Sequence, residues 1–216
     1  MKPIPFSWAL PCLAAAALWG CRAASASEKA AAYIRAKDLY LGNRPEEALA
    51  LLERGREIRS FPPAAFLKGK ILHLSGRNGD AEEAWRELLR IRPSHQETRK
   101  WLSRLLIDQG RVEEAEALLA EALADDPEDP ELLTLTGRAR LRRRDTAGAV
   151  EYFSKAKTAL ERLAEGPLEL SEIYRAFGMR RRAVRELDLA AALLGPDSSL
   201  SRRTLELRRT LAEDGP

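Results

Sequence analysis

The sequence predicts an all-α fold, a solenoid of stacked helical hairpins, and three observations carry that reading. Ala81, Ala115, Ala149 and Ala183 recur at a fixed interval of 34 residues. Gly42, Gly76, Gly110 and Gly178 belong to the same period, with Arg144 standing where a glycine is missing. Hydrophobic residues make up 45% and charged residues 32%, but aromatics only 6%, a composition suited to helices with charged outer faces rather than to strands. A fixed period with small residues in register marks units that bury their apolar faces on one another. Such an array grows by stacking, so the length of 216 residues does not set a domain count.

The chain begins with different material. Lys2 is the only charge before Arg22, and an apolar run extends from Phe6 through Trp19. A short cationic start ahead of an apolar stretch is the layout of a secretory signal peptide. The run is short for a membrane span of about 20 residues, and Pro11 interrupts it. Residues 1–20 are therefore expected to be a signal peptide, 21–29 a linker, 30–196 the repeat array and 197–213 a capping helix. Leu18-Trp19-Gly20-Cys21 resembles the bacterial lipobox, with Trp19 departing from its usual pattern. That resemblance implies lipidation at Cys21. Ala24-Ser25-Ala26 offers the competing cleavage site of a soluble exported protein. The lipidated reading accounts for a cysteine at the end of the apolar run. It implies a lipid-anchored protein of the bacterial envelope, with Arg22 rather than aspartate after the cysteine pointing to the periplasmic face of the outer membrane; the other cleavage implies a secreted or periplasmic protein. Cys12 lies inside the signal and Cys21 at its end, so no pair is left for an internal disulfide.

The units can be read column by column. The second carries Gly69, Gly76, Ala81, Trp85, Leu88 and Pro93; the third carries Ser103, Gly110, Ala115, Leu119, Ala122 and Pro127. The fourth has Gly137, Arg144, Ala149, Phe153 and Ala156, with its closing proline delayed to Pro167. The fifth has Ser171, Gly178, Ala183, Leu187 and Ala190, followed by Pro196. Small residues let paired helices approach, the turn glycine relieves the backbone where the first helix ends, and proline stops the second helix. In the first unit Gly42 keeps the interval, but Ala48 stands 33 residues before Ala81, so the Asn43-Arg44-Pro45 turn is expected to hold an extra residue. Gly55 sits where alanine is usual. Leu200, Thr204, Leu207 and Leu211 form one helical stripe, with Arg202, Arg203, Arg208 and Arg209 around it, as a capping helix needs.

These columns resemble the tetratricopeptide repeat over about residues 30 to 196, as about five repeats. The resemblance implies a right-handed α-solenoid whose first helices line a concave, partner-binding groove. Carried over position by position, that groove comprises Tyr33, Lys37, Tyr40, Phe66, Lys70, His73, Lys100, Arg104, Ile107, Arg138, Leu141, Arg142, Glu172 and Arg175. The face is basic, with aromatics at its N-terminal end. Acid collects on the second helices, at Glu82, Glu83, Glu87, Glu113, Glu114, Glu116 and Glu121. The implied ligand is a protein or peptide with an acidic segment. Lys100 and Arg104 resemble half of a carboxylate clamp, but Lys37 and Lys70 replace the asparagines that complete one.

Catalytic signals are poor. Ser154-Lys155-Ala156-Lys157 matches a Ser-x-x-Lys string, yet lies in a repeat helix without its companion motifs. Gly69-Lys70 lacks the earlier glycine of a phosphate loop. His73 and His95 have no partners at metal spacing, and the acidic run Asp125 to Asp129 contains Pro127 and reads as a turn. A net charge of +3 does not call for nucleic acid. The expectation is a non-enzymatic scaffold with no cofactor and no metal, similar in type to pilotins and outer-membrane assembly lipoproteins. The alternative is a peptidoglycan or acidic-glycan binder using the basic groove.

Overall fold

The computed structural model describes residues 26–54, 61–196 and 198–213. The expected signal peptide, Cys21 and Gly55 lie outside the described residues. The described residues form ten α-helices: α1 (Ala26–Leu41), α2 (Pro45–Arg54), α3 (Pro62–Leu74), α4 (Asn78–Ile91), α5 (Gln96–Asp108), α6 (Val112–Asp125), α7 (Pro130–Arg142), α8 (Thr146–Ala176), α9 (Arg180–Leu193) and α10 (Ser199–Glu213). No strand occurs among them, and none of the described helices is long and apolar enough to cross a membrane. Helix α1 begins at Ala26, inside the stretch expected as linker. The chain divides into two compact units, at Ala84 and Trp85.

One turn is built five times. Asn43, Gly76, Gly110, Arg144 and Gly178 adopt left-handed φ values of 59°, 79°, 79°, 63° and 68°. At each, the amide of that residue bonds the carbonyl three back, and the next amide bonds the carbonyl five back from itself, as in Arg77 N–H to Leu72 O at 2.9 Å and Arg111 N–H to Leu106 O at 2.8 Å. This is the Schellman closure of a helix, which satisfies its last carbonyls. Each following helix begins two residues later.

These turns correct the expected first register. Asn43, not Gly42, occupies the left-handed place, and it lies 33 residues before Gly76. Buried Ala36 and Ala48 likewise stand 33 residues before Gly69 and Ala81. The whole first hairpin is therefore in register with itself. The odd spacing falls after α2 and not in the Asn43-Arg44-Pro45 turn, because an αL place tolerates asparagine.

The small-residue columns are where helices meet. Ala48, Ala81, Ala115, Ala149 and Ala183 are fully buried. In the first unit, α1, α2 and α3 pack together around Ala36, Leu52, Ala64, Leu67 and Ile71. In the second, α7 packs on α5, α6 and α8, while α9 and α10 pack on α8 and on each other. Leu211 of the capping helix joins Ala164, Leu168, Ala183, Leu187 and Ala190 in one cluster, covering apolar surface at the chain end.

Pro167 does not stop a helix. Helix α8 runs through it for 31 residues, joining what the columns mark as the second helix of the fourth unit to the first helix of the fifth. Proline forfeits one bond to the carbonyl four residues back, here Leu163, which is exposed to solvent. Burial of Ala164 and Leu168 against α9 on the opposite face outweighs that loss.

Candidate partner-binding face

In the first unit, the groove columns bring aromatic and cationic groups together. Tyr33 and Tyr40 are half-buried on α1, and Tyr33 meets Phe61 edge to face, with ring centroids 5.9 Å apart. Lys70 on α3 places Nζ 5.9 Å from the centroid of Tyr40, a cation–π approach. Lys37 is exposed and Phe66 half-buried. His73 has its Nδ1 2.7 Å from Asn78 Oδ1, a bond that ties the end of α3 to the start of α4. The arrangement offers ring faces beside cations, suited to an extended segment with carboxylates and apolar side chains.

The second unit is organised differently. Lys100 is buried, and its ammonium lies 2.6 Å from Asp129 Oδ2, 3.3 Å from Glu97 Oε1 and 3.4 Å from Glu131 Oε2. Burial would push its pKa down, but the hydrogen bond and charge of Asp129, with those of Glu97, outweigh it and hold the amine above its ordinary value. Asp129 caps α7 by accepting from the amides of Glu131 at 2.8 Å and Leu132 at 3.0 Å. Its burial pushes its pKa up, but the hydrogen bonds from Lys100 and these two amides dominate and leave it below the usual value. Arg104 donates to Glu131 Oε1 at 2.7 Å and lies over Trp101, 5.1 Å from the ring centroid. Lys100 and Arg104 thus bind α5 to the start of α7. Their charge is spent inside the protein.

Further along, Arg138 lies 3.6 Å from Asp108, with both side chains about half exposed. Arg142, Leu141 and Arg175 are exposed, Glu172 is half-buried, and Ile107 is buried. Glu172 accepts from Arg203 of the capping helix at 2.7 Å. The acidic helices are likewise engaged. Glu116 lies 2.7 Å from Arg143 and 3.4 Å from Arg140; Glu121 lies 3.5 Å from buried Arg99, which also donates to Asp125 at 2.6 Å. Glu114 accepts from Arg111 and Arg86, which lower its carboxyl to about 2. Three of the seven glutamates expected on the second helices, Glu114, Glu116 and Glu121, are therefore paired with arginines.

Sequence reasoning missed three carboxylates, Glu97, Asp129 and Glu131, that neutralise the basic columns. Their signal was present: Asp129-Pro130 is a helix-start dipeptide, and Glu97 and Glu131 stand at equivalent places, 34 residues apart. His95 is a cap as well, accepting from the Thr98 amide at 3.2 Å. Among the described residues no group of three or more His, Cys, Asp or Glu side chains is placed to hold a metal ion. The Ser-x-x-Lys string lies along α8, where Lys155 pairs with Glu151 at 2.6 Å and rests over Tyr152.

Residues 72–139 match the tetratricopeptide repeat family. Human tetratricopeptide repeat protein 7B is 28% identical over 139 residues, 62% of this chain but only 16% of that protein, so the chain spans a small part of its relative. Among solved structures, the pilF protein of Pseudomonas aeruginosa superposes with a TM-score of 0.57 at 23% identity, covering 86% of this chain and 83% of its own. MamA from Desulfovibrio magneticus gives 0.56 at 20% identity, covering 77% and 95%. YrrB, described as a tetratricopeptide protein with an unusual peptide-binding site, gives 0.52 at 20% identity, covering 82% and 90%. Repeated Schellman turns, buried alanine columns and these similarities establish the fold as an all-α solenoid of tetratricopeptide hairpins ending in a capping helix.

Proposed function

We propose that this protein is a non-enzymatic adaptor that holds a segment of another protein on the first helices of its hairpins. One observation carries the reading: Lys70 lies over the Tyr40 ring beside Tyr33 and exposed Lys37, in the columns the repeat reserves for ligand. Aromatic faces next to cations provide contact area and carboxylate pairing at once. Arg138, Arg142 and Arg175 are the cations of the second unit that this proposal assigns to the partner. The N-terminal reading adds a location. Cleavage and lipidation at Cys21 would fix the adaptor on a bacterial envelope membrane, where it assists assembly or recruitment of a partner complex.

The acidic-glycan alternative draws on the same cations, and the carboxylates around Lys100 weaken it by removing positive charge from the face. Crosslinking of the tagged full chain in its native membrane tests both. Charge reversal at Lys100 and Arg104 would break the α5–α7 ion pairs, so the informative variants are Tyr40→Ala with Lys70→Glu, and Arg142→Glu. A protein captured by wild type and lost from these variants, with helicity unchanged, is the expected result. Equal capture by wild type and variants removes the groove from consideration. Binding to peptidoglycan that falls steeply with salt and ignores Tyr40→Ala supports the glycan reading instead.

A further inference from the structure

Helix α8 leaves an apolar stripe uncovered on its C-terminal half. Leu163, Leu170, Ile173 and Phe177 are 54%, 42%, 50% and 74% exposed. With Gly166 they follow a three-four spacing along one face, opposite the Ala164, Leu168 and Ser171 face that is buried. An aligned apolar stripe of this kind marks an interaction surface.

The repeat says what the stripe is for. Leu170 stands in register with Leu102 and Thr136, and Ile173 with Leu105 and Ala139. In the third and fourth hairpins those four residues are only 1%, 5%, 1% and 0% exposed, on first helices packed into the array. Helix α7, for instance, packs on both α5 and α6. The matching face of the fifth hairpin has lost its support because α8 continues through Pro167 instead of turning back. The surface it would pack on is the far side of a fourth hairpin. There Thr134, Phe153, Ala156, Lys157 and Leu160 line a cleft of about 360 Å³, bordered by Leu193 and Pro196. Leu119, in register with Phe153, is fully buried on α6, whereas Phe153 is only half-buried; Ala156, like Ala122 in its column, is buried.

Donor stripe and acceptor cleft therefore lie on the same rod. Half-buried Phe153 and exposed Leu170 are separated by roughly 25 Å along a continuous helix at 1.5 Å per residue, so Leu170 and Ile173 do not fold back onto Phe153 of their own chain. We propose that a second copy of this chain does so: the fifth hairpin of each copy stacks on the fourth hairpin of the other, in a reciprocal swap with two-fold symmetry. Exchange of an identical element needs no new complementarity, because the contact is the one the repeat already encodes. The swap uses the helix that carries Arg175 but none of Tyr40, Lys70, Arg138 or Arg142.

Sedimentation velocity of the full chain across a concentration series tests the proposal. Wild type should show a monomer–dimer equilibrium. The donor variant Leu170→Glu/Ile173→Glu, whose side chains are exposed, and the acceptor variant Leu160→Glu should each be monomeric with unchanged helicity. If Leu160→Glu fails to fold, Lys157→Glu replaces it. Mixing donor and acceptor variants should restore a dimer, because one of the two swapped contacts is then intact. Wild type that stays monomeric at every concentration overturns the proposal. So does a dimer that survives the donor substitutions, or an acceptor variant that dimerises as wild type does.

Discussion

The Phe153 ring fills the space that a side chain on Gly137 would need: a Cβ there would sit 2.7 Å from Cε1 of the ring. Both residues occupy pairing columns, Gly137 on α7 and Phe153 on α8. Other hairpins fill the same two columns with Ser103 and Leu119, or Ser171 and Leu187, so a larger residue on one helix goes with a smaller one on the other. Gly137→Ala should therefore destabilise the protein by about 1–3 kcal/mol through overpacking. Chemical denaturation of Gly137→Ala/Phe153→Leu should recover about half of that loss, since the pair then matches its neighbours.

Lys100 should be a stability residue with a defined pH signature. Lys100→Met leaves Asp129 and Glu131 without their shared cation and should cost about 2 kcal/mol. The amine is held above its ordinary value, so its contribution is complete below the unfolded pKa and is lost as pH rises through the folded one. Asp129 is held below its ordinary value, so its contribution is present above the unfolded pKa and is lost as pH falls through the folded one. Denaturation curves for wild type and Lys100→Met should accordingly converge in strong acid. Parallel curves down to the acid limit would contradict the pairing.

Arg144 takes a left-handed conformation with φ of 63° in a place that Gly76, Gly110 and Gly178 fill elsewhere. Arg144→Gly should raise stability by about 1 kcal/mol, and Gly110→Ala should lower it by a similar amount. Thermal melts of the two variants give opposite shifts in Tm if the turn geometry is right.

Glu114 provides a site-resolved test of the cross-hairpin arginine pairing. Its carboxyl, lowered to about 2 by Arg111 and Arg86, should titrate well below an ordinary glutamate in carbon-detected NMR. Arg86→Ala should move it part of the way back. The pair favours the folded state above the unfolded pKa of the group, and that effect is lost as pH falls through about 2. Both side chains are about half exposed, so added salt should shrink the shift.

Much of the architecture was legible because its determinants are local or periodic. Buried alanines at a fixed interval report helix contacts directly, and four of the five left-handed turn residues are glycine or asparagine. The register of the first hairpin was misread because Gly42 lies next to the residue that does the turning, and spacing alone does not separate neighbours. For the candidate face, the columns placed Tyr40 and Lys70 on neighbouring first helices, where the two side chains approach each other. Nothing in the spacing of Lys100 showed that Asp129 would reach it, since that pairing joins the middle of one helix to the cap of another.

By itself the sequence determined the all-helical class, the period, the turn chemistry and the small-residue columns, because each depends on backbone preferences or on side-chain size at a fixed helical phase. Tertiary structure alone decided the fate of Pro167. A proline within a helix is a loss of one hydrogen bond, and whether the helix survives depends on how much apolar surface its two halves bury elsewhere. Here Ala164 and Leu168 bury against α9 and the helix continues, which leaves Leu170 and Ile173 without the hairpin that their columns were shaped to meet.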